Sequence, residues 1–529
     1  MTCEAPKLTN NVSELKQMIS SLQGCHEKEV QQYQADIKIL TEQVAFFRDK
    51  LFGRKSEKLS YDLNPPQLLL FDEPEDIEPD TEEETDVPAH KRKKRGRRPL
   101  PKGLPRVDVI HDLTEEELIC GCGCQQSCIG EETSEQLDII PAKIQVIRHI
   151  RLKYACKNCE GVESEGGAVV IAPAPKQLIP KSIATPGLVA YILTSKFIDH
   201  LPFYRQEGQF KRIGVDLSRA TMANWAIKVA ELCRILLSLL QTELLSGPLI
   251  QIDETTVQVL KEPGRKNTTK SYMWVFRGGL PDKPTIIFQY HPTRSGQVPF
   301  DYLRDYEGNI QTDGYIGYKA LGQRKGIIHL GCWAHARRKF IEVLNAAKNI
   351  KNRKSKTGSA DIALSYIRKL YAIEKRSKAL NHTPEQIYME RQEKARPILD
   401  EFKIWLDKRL LQTPAKGLLG KAIAYTLNEW DKLIRYLDDG RLSPDNNLAE
   451  NAIRPFVVGR KNWLFSGSPK GAEASAALYS LIETAKANGL EPYFYLRCLF
   501  EKLPDAQTTD DYRALLPPYI DRALLGVPE

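Results

Sequence analysis

No run of apolar residues in this 529-residue chain is long enough to cross a bilayer, and its N-terminus lacks the charged-then-apolar pattern of a secretory leader. Those two absences argue against membrane and exported proteins, and the expected setting is the cytoplasm. Apolar content is also nearly missing between Asp72 and Asp86, where ten acidic residues are interspersed with proline. Such a stretch cannot bury enough surface to offset its chain entropy, so it reads as a linker. Elsewhere the balance of 42% hydrophobic and 27% charged residues is that of a globular protein. The length allows roughly three or four domains.

The net charge of +8 is modest but unevenly placed. Directly after the acidic linker, Lys91 to Arg98 reads Lys-Arg-Lys-Lys-Arg-Gly-Arg-Arg. A block of this kind attracts phosphate backbones by releasing counterions. Arg95, Arg97 and Arg98, spaced around Gly96 and followed by Pro99, form an extended arm suited to a minor groove, with a solvated charge run as the plain alternative. Eleven cysteines in a reducing compartment argue for thiols or metal ligands over disulfides. Six of them fall into two groups, Cys120, Cys122, Cys124 and Cys128, then Cys156 and Cys159. The second group is a Cys-x-x-Cys half-site for Zn²⁺, and the first offers several ways to complete it.

Apolar residues at Leu8, Val12, Leu15, Ile19, Leu22, His26, Val30, Tyr33, Ile37, Leu40, Val44, Phe47 and Leu51 step by four and three, with one doubled four at His26. This seam predicts a coiled-coil helix within residues 1–60, through which chains self-associate. Residues 61–105 follow as linker, 106–165 as a small zinc module and 166–246 as a helical region. Within the last, Tyr204–Ile213, a break at Gly214 and a helix from Ser218 to Leu240 suggest a helix-turn-helix offering Arg219, Thr221 and Asn224 to DNA, or else a plain helical subdomain. Strand-like runs at Leu249–Val259, Ser271–Arg277 and Thr285–Tyr290, a short helix at Val298–Tyr306, and strands at Gly308–Thr312 and Ile327–Leu330 predict a mixed sheet with helices against it over residues 247–485. Lys-rich helices at about 341–425 look inserted into that domain, and 486–529 forms a C-terminal helical domain. The expected fold class is multidomain α+β.

Three carboxylates stand out. Asp253 in Gln251-Ile252-Asp253-Glu254 and Asp313 in Gln311-Thr312-Asp313-Gly314 each end an apolar strand-like run, where rigid backbone holds them. Glu450 belongs to a helix expected to start with Ser443 as N-cap and Pro444 in its first turn, with Asn447, Glu450, Asn451 and Arg454 on a polar face and Leu448, Ala452 and Ile453 in the core. Three hard oxygen ligands suit a pair of Mg²⁺ ions in phosphoryl transfer on a nucleic-acid backbone. Cys332 and His335, in Cys332-Trp333-Ala334-His335, read as structural, with Trp333 in the core and Arg337, Arg338 and Lys339 on a basic face toward DNA. Arg454, Arg460 and Lys461 read as phosphate contacts near Glu450, with ordinary exposed charge as the alternative.

The order of these motifs resembles the DDE transposases of the insertion sequence 66 family along nearly the whole chain. The resemblance is carried by Leu51-Phe52-Gly53-Arg54-Lys55-Ser56-Glu57-Lys58, by Tyr154 to Gly161, by His200-Leu201-Pro202-Phe203-Tyr204-Arg205-Gln206, by Gly331 to Phe340 and by Asn446 to Pro455. It implies a leucine-zipper N-terminus, a small zinc-binding module, a ribonuclease-H-like catalytic domain and a short C-terminal domain. It also implies that Asp253, Asp313 and Glu450 form a catalytic triad holding Mg²⁺ or Mn²⁺. The first cysteine group departs from the family's Cys-x-x-Cys-Gly, which leaves open which two of its thiolates join Cys156 and Cys159. The function so implied is binding of terminal inverted repeats, end cleavage and strand transfer into target DNA, with accessory proteins of the same element as further partners. A structure-specific nuclease of the same fold and a catalytically inactive DNA-binding regulator derived from a transposase are the alternatives.

Overall fold

The computed structural model describes residues 12–52, 144–155, 169–171, 174–348 and 358–526. The chain divides into two units. One comprises Met1–Asp72 with Gln177–Leu525, and the other Glu73–Lys176 with Gly526–Glu529. The first unit opens with α1 (Val12–Phe52), a single helix over the predicted seam. In the second unit the described elements are two short strands, β1 (Lys153–Ala155) and β2 (Val169–Ile171), paired antiparallel. The six candidate zinc cysteines and Arg95, Arg97 and Arg98 lie outside the described residues.

Four helices lead to the sheet: α2 (Pro186–Phe197), α3 (Phe203–Arg212), α4 (Arg219–Leu232) and α5 (Arg234–Leu245). Gly214, at φ 82, supplies the left-handed turn after α3, and the Ser218 hydroxyl caps α4 by accepting from Thr221 N at 3.2 Å. The helix expected to run to Leu240 breaks at Cys233, a buried residue, so the chain bends there into α5 and keeps Leu236, Leu240 and Leu244 on the core.

The sheet is built from β3 (Leu249–Val259), β4 (Lys270–Leu280), β5 (Lys283–His291), then α6 (Gln297–Tyr302), β6 (Gly308–Gln311), α7 (Lys319–Gly322) and β7 (Ile327–Leu330). The strand order is β5-β4-β3-β6-β7, antiparallel among the first three and parallel from β3 to β7. Between β7 and the returning chain lie α8 (Trp333–Lys348), α9 (Ser359–Ala379), α10 (Pro384–Glu390), α11 (Arg396–Gln412), α12 (Leu418–Asn428) and α13 (Trp430–Leu433). These helices form their own apolar core around Trp333, Phe340, Ile367, Phe402 and Leu406. Inside it the buried Arg391 guanidinium binds Glu374 and the carbonyls of Tyr436, Asp439 and Leu442, which ties down the segment leading out of the insertion.

The chain then re-enters the sheet domain through α14 (Asn447–Trp463), the short β8 (Phe465–Ser466) and α15 (Pro469–Ala487), and ends in α16 (Pro492–Lys502) and α17 (Thr509–Ala514). Helix α15 covers the edge strand β5. Its Ser480 and Thr484 hydroxyls take the backbone N–H groups of Phe288 and Ile286 at 2.8 and 3.0 Å, so an edge that could pair with another chain is already satisfied. Among the described residues no helix is long and apolar enough to cross a membrane.

Candidate active site

Leu249, Ile250 and Gln251 of β3 stand opposite Asn309, Ile310 and Gln311 of β6 in parallel register. Two residues beyond the last pair, Asp253 and Asp313 occupy equivalent positions. Side chains two apart on a strand share a face, so Asp253 projects on the same side as Gln251, while Asp313 lies in the turn two residues past the end of β6. Those glutamines are buried and meet: Gln251 Nε2 donates to Gln311 Oε1 at 2.8 Å and to Asp445 O at 3.0 Å. Gln311 Nε2 in turn donates to Ser443 O at 2.8 Å and Gly331 O at 3.0 Å. The amide pair therefore fastens β3, β6, the end of β7 and the turn before α14 to one another. Asn446 completes the attachment, its Nδ2 donating to Ile252 O at 2.9 Å.

This attachment alters how α14 begins. The expected cap at Ser443 with Pro444 in the first turn is not formed, because Ser443 O is taken by Gln311 and Pro444 O by Trp333 N at 3.0 Å. Both carbonyls are turned toward neighbouring elements instead of along a helix, and α14 starts at Asn447. Its buried face is Ala449, Ala452, Ile453 and Phe456, while Leu448, expected in the core, is 45% exposed. Glu450 lies in the first turn, and the charges of Glu450 and Asp313 both act on Asp253.

The adjacent acids Asp253 and Glu254 point to different environments. Glu254 is clamped by Arg294, whose Nε donates at 2.7 Å and whose guanidinium lies 3.8 Å over the Tyr315 ring, and by the Tyr318 hydroxyl. Asp253 has no such cation. It accepts the Glu254 N–H at 2.8 Å, and burial, then the charges of Glu254, Glu450 and Asp313, raise its pKa well above the usual carboxylate range. Asp313 accepts Tyr315 N at 2.9 Å in a tight turn. The glycine after it is required by packing, since a Cβ at Gly314 would lie 2.6 Å from the Tyr425 ring. Carboxylates that act on one another in this way are hard oxygen donors, the type of ligand a divalent cation takes.

The Cys-Trp-Ala-His segment forms the start of α8. Trp333 is fully buried and donates from Nε1 to Leu433 O at 2.9 Å. Cys332 Sγ accepts Asn446 N at 3.3 Å and also the backbone N–H of His335, so the sulfur caps α8 and holds the turn before α14. The donor atoms of Cys332, His335 and Glu450 all lie within 4.8 Å of one another, which is a possible metal group. Burial pushes the Cys332 thiol up to about 12, and with its sulfur already accepting two N–H groups the capping role suits it better. His335 is a residue whose place the sequence did not indicate: its Nδ1 stands 3.6 Å from Glu450 Oε1, and neither atom has a hydrogen-bond partner among the described residues.

The basic residues separate. Arg338 Nη2 donates to Glu450 Oε2 at 3.3 Å, Lys339 sits 4.6 Å over the Tyr425 ring, and Arg337 is half-buried near Asp445. Arg454 is half-buried in α14, and Arg460 and Lys461 lie in its last turn, three turns from Glu450. The signal for the glutamine pair was present in the sequence as a repeated Gln-x-Asp, at 251–253 and 311–313. Its meaning required knowing that the two strands are parallel neighbours.

Comparison with known proteins places the chain in a family. Residues 181–474 match the model described as Transposase IS66 family, residues 117–160 a zinc-finger binding domain of transposase IS66, residues 39–109 a model described as Transposase C of IS166 homeodomain, and residues 480–517 an IS66 C-terminal element. The matches are those of a transposase-type protein with a zinc-binding module. The chain belongs to the IS66 transposase family. It is similar to Uncharacterized protein y4jD of Sinorhizobium fredii (strain NBRC 101917 / NGR234), at 33% identity over 515 residues, 93% of this chain and 96% of that protein. It is also similar to Uncharacterized protein y4qI of the same organism, at 32% identity over 481 residues, 88% of this chain and 86% of that protein.

Proposed function

We propose that this chain is a DDE transposase that binds the terminal inverted repeats of a bacterial insertion sequence, cleaves its ends and joins them to target DNA. The observation that carries this reading is the convergence of Asp253, Asp313 and Glu450. Asp253 is on β3, Asp313 lies two residues past the end of its parallel neighbour β6, and Glu450 is on a helix pinned to those strands by Gln251, Gln311 and Asn446. The sheet order, three antiparallel strands followed by two parallel ones, supports a ribonuclease-H-like catalytic domain.

Asp253, Asp313 and Glu450 would hold Mg²⁺ or Mn²⁺, which supplies Lewis acidity at a phosphodiester and at its attacking oxygen. The protein's own part is placement and charge. Arg294 and Tyr318 neutralise Glu254, so that the adjacent Asp253 is the carboxylate left for the cation. Arg338 and His335 orient Glu450 from the α8 side. Zn²⁺ has a structural role in the zinc-finger module, for which Cys156 and Cys159 with two of Cys120, Cys122, Cys124 and Cys128 are the proposed ligands. Self-association through α1, and accessory proteins of the same element, complete the proposed set of partners.

The test is cleavage of a labelled transposon end. The Asp253→Asn variant keeps the side chain's shape and loses its charge, so it should bind the end as wild type does and fail to cut it. Cutting at the wild-type rate would overturn the assignment.

A further inference from the structure

Strand β3 pairs with β4 along most of its length, but on its other side it pairs only near its ends, with β6 at Leu249–Gln251 and with β8 at Gln258 and Val259. Beside the open stretch runs α14, whose Arg460 Nη1 donates to the hydroxyls of Thr255 at 3.2 Å and Thr256 at 3.0 Å. The chain leaves α14 through Leu464 at φ 65 and ψ −50, close to the strained γ-turn conformation. That turn directs the chain into β8. The helix end, β3 and the loop from β3 to β4 thereby enclose a cleft of about 320 Å³, lined by Thr256, Gln258, Thr268, Lys270, Arg460 and Lys461. The loop wall is braced: Gln258 Nε2 donates to Asn267 O at 2.8 Å, and the buried Glu262 is held by Arg265 at 3.2 Å.

Three cations meet in this cleft, and among the described residues none of them has a carboxylate within ion-pair reach. Arg460 is half-buried against two neutral hydroxyls, and burial lowers its pKa with no acid opposing the shift. Of the three only Arg460 is recessed, and a recessed cation without a counter-ion is costly unless an anion is supplied. Guanidinium, ammonium and hydroxyl donors around one space match the several oxygens of a phosphodiester.

We propose that this cleft is a subsite for a backbone phosphate of the DNA strand engaged at the three carboxylates, an inference that rests on the transposase reading. Two independent measures place it. From Asp253 to Thr256 and Gln258 is three to five strand residues, about 10–17 Å at the rise of a strand. From Glu450 to Arg460 is ten helical residues, about 15 Å. At roughly 3.4 Å per nucleotide along a duplex, the phosphate held here lies about three to five nucleotides from the one at the carboxylates.

Binding of full-length protein to a transposon-end duplex, in buffer without added Mg²⁺ or Mn²⁺, tests the subsite. Single neutral methylphosphonates are scanned along both strands. Neutralising a phosphate about three to five nucleotides from the cut should weaken wild-type binding several-fold. The same substitution should cost clearly less in a Lys270→Gln, Lys461→Gln double variant, which keeps only Arg460 of the three cations and whose slope of log K against log salt should be smaller by about 1 for each lysine removed. Both lysines are exposed, so the fold does not depend on them. Equal methylphosphonate penalties in the two proteins, or an unchanged salt slope, would overturn the subsite. A wild-type protein that binds the duplex but never cuts it with Mg²⁺ present would count against the transposase reading, while the binding comparison would still decide the subsite.

Discussion

Asp253 and Glu254 are adjacent in sequence, yet Glu254 is clamped by Arg294 and the Tyr318 hydroxyl, whereas Asp253 has no cation beside it among the described residues and is acted on by the charges of Glu254, Glu450 and Asp313. The raised pKa of Asp253 means that the folded protein binds its proton more tightly than the unfolded chain. Its contribution to stability is therefore largest below the unfolded value and is lost as pH rises through the folded one. Without divalent cation, the Asp253→Asn variant should accordingly melt above wild type, by about 2–4 °C for each kcal/mol of strain relieved, and the gap should widen as pH rises through that window. Added Mn²⁺ should raise the wild-type Tm and close the gap. Thermal melts of the two proteins at several pH values check this, and a variant that melts below wild type at every pH would refute the account of Asp253 as an uncompensated buried charge.

At the scale of elements, what matters is how a helix separated from β3 by nearly two hundred residues comes to face it. The buried amides of Gln251 and Gln311 hold the turn at Ser443–Asn446, and the Tyr371 hydroxyl of α9 donates to Asp445 Oδ2 at 2.8 Å from the insertion side. Replacing Gln311 with Leu keeps the bulk but leaves the carbonyls of Gly331 and Ser443 without that donor, at a cost of about 1–3 kcal/mol. Glu450 would then lose its exact registration with Asp253, so kcat for end cleavage should fall by roughly 10- to 100-fold while KM changes little. Single-turnover kinetics with a titration of end DNA separates the two parameters, and a pure KM effect would show that the glutamines do not position the site.

At the scale of the whole molecule, the proposed function requires two ends to be cut together, and α1 offers a surface for that pairing. Helix α1 touches α8 and α12, but its seam is largely uncovered: Ile19, Leu22, Tyr33, Ile37, Leu40, Val44 and Phe47 are each half or more exposed. A row of that length is what a second copy would bury. Charged substitutions at Leu22, Ile37 and Leu40 together should lower the mass seen by light scattering and abolish paired-end cleavage, with the zinc content unchanged. An unaltered mass would move dimerisation to another surface. Zinc itself should be present at about one ion per chain, and Cys156→Ser should release it. Elemental analysis of purified protein measures both.

The sequence by itself determined the local elements. Alternating and continuous apolar runs located five of the sheet's six strands within a few residues, because burial of strand faces imposes a period that can be read directly. Gln-x-Asp recurred in it, and the seam of α1 was written in its heptad steps. What only the tertiary structure decided are the relations between distant segments. The start of α14 moved from Ser443 to Asn447 because neighbouring strands and helices claim the carbonyls of the intervening turn. His335 came to stand beside Glu450, and Lys270 across a cleft from Lys461, because a helix and a hairpin far apart in sequence share one strand edge. Propensity is a property of neighbours along the chain, whereas hydrogen-bond competition and uncompensated charge exist only once the chain has folded.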